Sequence, residues 1–136
     1  MTEAELRSWL SRAKALDEKM LVYEEAVREA RARAKRTTSN YAPRVSGSSD
    51  PHAKMDALAA ACELIVRLFD RQLAAKIEIF RLIYSAPLDG RQRAFLVSYY
   101  LNGFTLEQSA VAVGVSYKQG IRIQKQALAI MLDSIN

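Results

Sequence analysis

Cysteine occurs once in the chain, at Cys62, so no disulfide framework can form within it, and a reducing cytosolic setting is expected. Three prolines and five glycines among 136 residues leave few interruptions. With Ala, Leu, Arg and Lys abundant, that scarcity favours helices. The single histidine, His52, has no cluster of partners in sequence, which argues against a metal centre or histidine-based acid–base chemistry. No uncharged apolar run reaches the ~18–20 residues that cross a bilayer. Neither a glycine-rich phosphate loop nor a nucleophile–base spacing is present. The opening MTEAELRSWL is acidic and amphipathic, unlike a secretory or transit peptide. The expectation is a cytoplasmic protein that is not an enzyme and needs no cofactor or metal.

What the chain does have is half hydrophobic composition, enough for a core, and a net charge of +5 that is unevenly spread. Residues 28–54 carry Arg28, Arg31, Arg33, Lys35, Arg36, Arg44 and Lys54 against Glu29 and Asp50. A second positive excess lies after residue 87. Basic segments of this kind suit a polyanion, of which nucleic acid is the commonest. The stretch Arg28–Arg36 fits equally a phosphate clamp or the solvated end of a helix.

Thr2 and Glu5 form an S/T-x-x-E capping box, which starts a helix. From there Leu6, Trp9, Ala13, Leu16, Met20, Tyr23, Val27, Ala30 and Ala34 recur at alternating steps of three and four. This is the a/d seam of a coiled coil, and it predicts one helix to about Arg36. Thr37–Asp50 is polar, with Pro, Gly and several serines, and is expected to be a flexible connector. Asp50 as N-cap and Pro51 at the first helical position open a second helix, which should end near Ser85, before Pro87. Residues 1–86 are therefore expected to form a helical hairpin that serves oligomerisation.

The second helix carries more apolar surface than such a hairpin uses. Leu64, Ile65, Val66, Leu68, Phe69, Leu73, Ile77, Ile79, Phe80, Leu82, Ile83 and Tyr84 cover an arc of roughly 220°, where a surface helix needs about 100°. Either a second copy of the chain or the C-terminal region must cover the excess. A homodimer or higher oligomer is the expectation.

Three further helix starts follow closely: Asp89 with Gln92, Thr105 with Gln108, and Ser116 with Gln119. Asn102-Gly103 ends the first of these helices, at Leu101, and Gly114 makes the turn between the second and the last. Ala110, four residues before Gly114, suits a close helix crossing, with Val115, Ile123 and Ala127 facing inward. A short helix, a tight turn and a long helix make a helix-turn-helix over Thr105–Leu132. Such a unit projects the start of its last helix toward a major groove.

The run PLDGRQRAFLVSYYLNGFTLEQSAVAVGVSYKQGIRIQKQALAIML resembles region 4 of bacterial sigma factors. The matching features are Arg91-Gln92-Arg93, Tyr100-Leu101, Gly103, Thr105-x-Glu107, Ala110, Gly114-Val115-Ser116, Ile123 and Ala127-Leu128. In layout the whole chain is similar to short phage-encoded regulators of the RinA and ArpU type, which act on late transcription in phages and prophages. Gly120 departs from the pattern, standing where the family has an apolar residue such as Val, and Gly120→Val is expected to stabilise the unit.

The resemblance implies a DNA-binding domain over residues 87–136 and a transcriptional regulator in a bacterial host, associated with the nucleoid. By position in the motif, Tyr117, Lys118, Gln119 and Arg122 would reach base edges. Arg91, Arg93, Thr105, Ser116 and Lys125 would meet phosphates. RNA polymerase is a further partner that it implies. Two alternatives stay open: a DNA-packaging adaptor of the small-terminase kind, and a module that binds polymerase alone.

Overall fold

The computed structural model describes residues 1–39 and 51–136, and side chains in 1–33 and 52–136. Among these residues there is no strand, and the chain is all-α. Its elements are α1 (Glu3–Leu10), α2 (Arg12–Ser39), α3 (Pro51–Ser85), α4 (Gly90–Leu96), a π-helical turn (Val97–Leu101), α5 (Leu106–Val113) and α6 (Tyr117–Ile135). The expected connector falls on residues 40–50, outside the described ones, apart from Thr37–Ser39, which complete α2.

One continuous first helix was expected, but it is interrupted at Ser11. The Ser11 hydroxyl donates to the Arg7 carbonyl at 2.8 Å, and the Arg12 Nε donates to the Trp9 carbonyl at 3.1 Å. Side chains that bond back to carbonyls three or four residues earlier compete with the helical ladder and bend it. The Arg12 guanidinium also sits over the Trp9 ring, 4.3 Å from its centroid. The second difference is the π turn. The Asn102 N–H reaches back five residues to the Val97 carbonyl at 3.0 Å, where an α-helix would use residue 98. Apolar periodicity carries no signal for one widened turn.

Packing divides the chain into two units, one made of Met1–Ala15 with Gln72–Asn136, the other of Leu16–Arg71. The division expected from chain order, 1–86 and 87–136, is different. In the second unit α2 and the first part of α3 lie side by side, with Val27 and Ile65 lining one groove. Met20, Val27 and Leu68 are its buried apolar residues. Met20 and Val27 belong to the 3–4 seam, whose Ala30 is exposed.

The other unit holds the larger core. Leu6, Leu10 and Ala13 pack with Ile79 and Ile83 of α3, with Leu96, Tyr100 and Leu101, and with Ala127, Leu128 and Met131 of α6. The apolar surface of α3 is thus partly covered by this chain itself, through Ile79 and Ile83. Arg12 closes the edge of this unit with an ion pair to Glu78 at 2.7 Å. Lys14 adds a contact to the π turn, its ammonium 3.3 Å from the centre of the Tyr99 ring and bonded to the Phe104 carbonyl.

Candidate nucleic-acid interface

Each helix that frames the site begins on a reciprocal cap. Asp89 accepts from the Gln92 N–H at 2.7 Å and Thr105 from that of Gln108 at 3.1 Å, while both glutamines bond back to the cap N–H at 3.0 Å. Ser116 and Gln119 repeat the pattern at 3.3 and 3.1 Å. Two orphan amides of each first turn are thereby satisfied, and the start of each helix is fixed in place.

Between α5 and α6 the chain turns through Gly114, at φ +77°, the left-handed conformation that a β-carbon disfavours. The Val115 N–H returns to the Ala110 carbonyl and the Gly114 N–H to that of Val111, both at 3.0 Å. This pair of bonds is a Schellman motif, which satisfies the last carbonyls of α5. Val115 is half-buried in the angle, as expected of a plug.

Buried Gly120, Gln124, Ala127, Leu128 and Met131 fix the inner face of α6. A β-carbon on Gly120 would stand 3.0 Å from the Phe95 ring and 3.1 Å from the Ala110 methyl. Phe95 is fully buried and Ala110 nearly so, and either would have to shift by a few tenths of an ångström to admit a side chain there. The expected benefit of Gly120→Val is therefore corrected. The Phe95 ring already fills the room an apolar side chain would take, and glycine is what lets α6 approach α5.

On the opposite face stand Lys118, Arg122 and Lys125, all exposed, at steps of four and three. At 3.6 residues per turn they fall within an arc of about 60°, spread over about 10 Å of helix. Among the described residues none of the three forms an ion pair. Tyr117 projects from the first turn with 47% of its surface exposed. Gln119 is exposed, but its side-chain oxygen is held in the cap. The Ser116 and Thr105 hydroxyls are likewise engaged as cap acceptors, and Arg91 is exposed at the start of α4.

Arg93 is placed differently from the others. It is half-buried, donates to the Ala86 carbonyl at 3.1 Å, and lies 5.5 Å from the centre of the Tyr84 ring. Those contacts fasten α4 to the end of α3. Sequence reasoning also passed over Gln126, which is exposed four residues after Arg122 and extends the outward face. Its spacing from Arg122 was the available signal.

The arrangement presents positive charge and amide groups on one capped, solvent-facing helix. Among the described residues no group of His, Cys, Asp and Glu could hold a metal ion, and no helix is long and apolar enough to cross a membrane. No protein-family model, curated protein or solved structure matches the chain.

Proposed function

We propose that the protein is a sequence-specific DNA-binding regulator of transcription that reads the major groove with the first half of α6. The observation that carries this reading is the exposed arc of Lys118, Arg122 and Lys125 opposite a buried, glycine-sealed contact with α5. A helix fixed on its inner side and cationic on its outer side meets the needs of groove recognition. Phosphates attract it, and arginine or lysine pairs with guanine O6 and N7. Tyr117 is suited to a thymine methyl, and Gln126 to an adenine edge. Arg91, at the start of α4, would steady the unit on a neighbouring phosphate.

The resemblance to sigma region 4 and to phage late regulators supports the transcriptional setting and RNA polymerase as a second partner. A homodimer would offer two reading helices to two half-sites. Selection of bound sequences from random duplex DNA by the purified protein tests the proposal. Enrichment of a defined site is expected, with affinity falling steeply as salt rises. Recovery of random sequence would leave no reading role for α6, and a salt-independent interaction would remove DNA as the partner.

A further inference from the structure

The unit that carries α6 leaves one apolar face bare. Leu73, Ile77, Phe80 and Tyr84 are each between 43% and 55% exposed, and all four lie within Gln72–Asn136. Their steps are four, three and four, so on one helix they fall within an arc of about 60°, along about 16 Å of its axis. The Phe80 and Tyr84 rings rest against each other, with centroids 4.3 Å apart. Ile79 and Ile83 of the same turns are fully buried in the core, on another side. Half-exposure of four side chains of about 150–200 Å² leaves on the order of 350 Å² of apolar surface. A stable interface between two folded proteins takes about 800 Å² from each. The stripe alone supplies less than half of that, an area suited to a single helix laid along it. Anchors at this spacing are the mark of helix-in-groove recognition.

Positive charge frames the stripe. Lys76 stands about 40° beyond one edge of the arc and Arg81 about 40° beyond the other. At its end Arg93 lies 5.5 Å from the centre of the Tyr84 ring. Among the described residues none of these three cations forms an ion pair, and the buried Nε of Arg93 has no hydrogen-bond partner. The acids of this unit nearest in sequence are engaged: Glu78 pairs with Arg12 at 2.7 Å, and Asp89 caps α4. Asp70 precedes the stripe in sequence and belongs to the other packing unit.

We propose that this face docks an amphipathic helix of another protein, one whose apolar line is flanked by Asp and Glu. Contact along Leu73, Ile77, Phe80 and Tyr84 holds the helix, and carboxylates on its two flanks meet Lys76 and Arg81. This inference does not depend on DNA binding.

Fluorescence anisotropy with the full-length protein tests it, using a synthetic helical peptide with leucines at i, i+4, i+7 and i+11 and glutamates on both flanks. The peptide should bind, and more weakly as salt rises. The same peptide with lysines in place of the glutamates should bind at least about tenfold less tightly. Ile77→Glu should abolish binding with an unchanged helical circular dichroism spectrum, because position 77 is solvent-facing. Lys76→Glu with Arg81→Glu should reverse the preference toward the lysine peptide, a change that loss of folding cannot produce. Equal binding of the two peptides, or binding of neither, overturns the proposal. So does a wild type that sediments at twice the 15.3 kDa chain mass while Ile77→Glu sediments at the single-chain mass, since a second copy then occupies the stripe. Vesicles of equal parts phosphatidylglycerol and phosphatidylcholine that retain the wild type but not Ile77→Glu overturn it as well, in favour of a lipid surface.

Discussion

The Gln124 amide donates a hydrogen bond to the Tyr100 hydroxyl at 3.1 Å, joining α6 to the π turn inside the core. Both residues are almost wholly buried, at 3% and 2% exposure. A polar pair in such a place holds α6 at one rotation about its axis, because any other rotation strands the amide. The outward direction of Arg122 is fixed by what Gln124 does on the other side.

Tyr100→Phe should therefore destabilise the protein by about 1–3 kcal/mol at neutral pH, since the Gln124 amide is left buried and unpaired. Alkaline pH gives a second readout. Burial pushes the Tyr100 hydroxyl above the usual phenol range, and the Gln124 bond and the Arg7 charge lower it only in part. A raised folded-state pKa contributes stability that is full below the unfolded value of about 10 and is lost as pH rises through the folded one. The melting temperature of the wild type should fall above pH ~10, and that of Tyr100→Phe should fall less steeply.

Gly120→Val should lower the melting temperature. Overpacking against Phe95 and Ala110 costs about 1–3 kcal/mol, while removing a mid-helix glycine returns only about 0.5–1. Gly120→Ala should lie between wild type and valine. A variant with raised stability would mean that the Phe95 ring can move aside.

Arg122→Ala should weaken binding to the selected site by ~1–3 kcal/mol, roughly 5- to 150-fold, and relax preference at one base pair. Lys125→Ala, if it touches phosphate alone, should weaken all duplexes alike and reduce the salt slope by about one. Both side chains are exposed, so melting temperatures should stay within error of wild type. Titration of specific and random duplexes over a salt series separates the two roles. An Arg122→Ala variant with unchanged affinity and preference would remove α6 as the reading helix.

Leu10→Ala should destabilise by about 2–5 kcal/mol, the range for a buried leucine. Its effect should appear in the C-terminal helices, because Leu10 packs in one core with Leu128 and Met131. Hydrogen exchange of α6 amides reads this directly: faster exchange is expected there. Unchanged α6 protection would show that the N-terminal helix only leans on the unit.

Local signals were the most legible part of the sequence. The caps at Thr2, Asp89, Thr105 and Ser116 form, Gly114 takes positive φ, and the helices begin where the capping residues place them. Each of those signals is written within four or five residues. What sequence could not supply were relationships between distant segments. Leu6 and Ala13 read as members of a regular seam, and their pattern cannot say whether α2's neighbour or α6 covers them. Gly120 read as a weakness for a similar reason. Its meaning depends on the Phe95 ring, 25 residues away, and helix propensity has no knowledge of that ring. The candidate site was legible to the extent that it is a helix face: Lys118, Arg122 and Lys125 were named by position in the motif, and all three stand exposed on α6. Arg93 was not, since a carbonyl at Ala86 claims it.

Because Leu6 and Leu10 share a core with Met131, α1 reaches its full native packing only after α6 has been synthesised. At synthesis rates of about 5–20 residues per second, the interval is roughly 6–25 s. Until then Ile79 and Ile83 of α3 are the first native cover within its reach, and final docking closes a loop of more than a hundred residues, a slow kind of contact to make. Newly made molecules consequently gain a fully packed α6 only once α1 has come back to meet it.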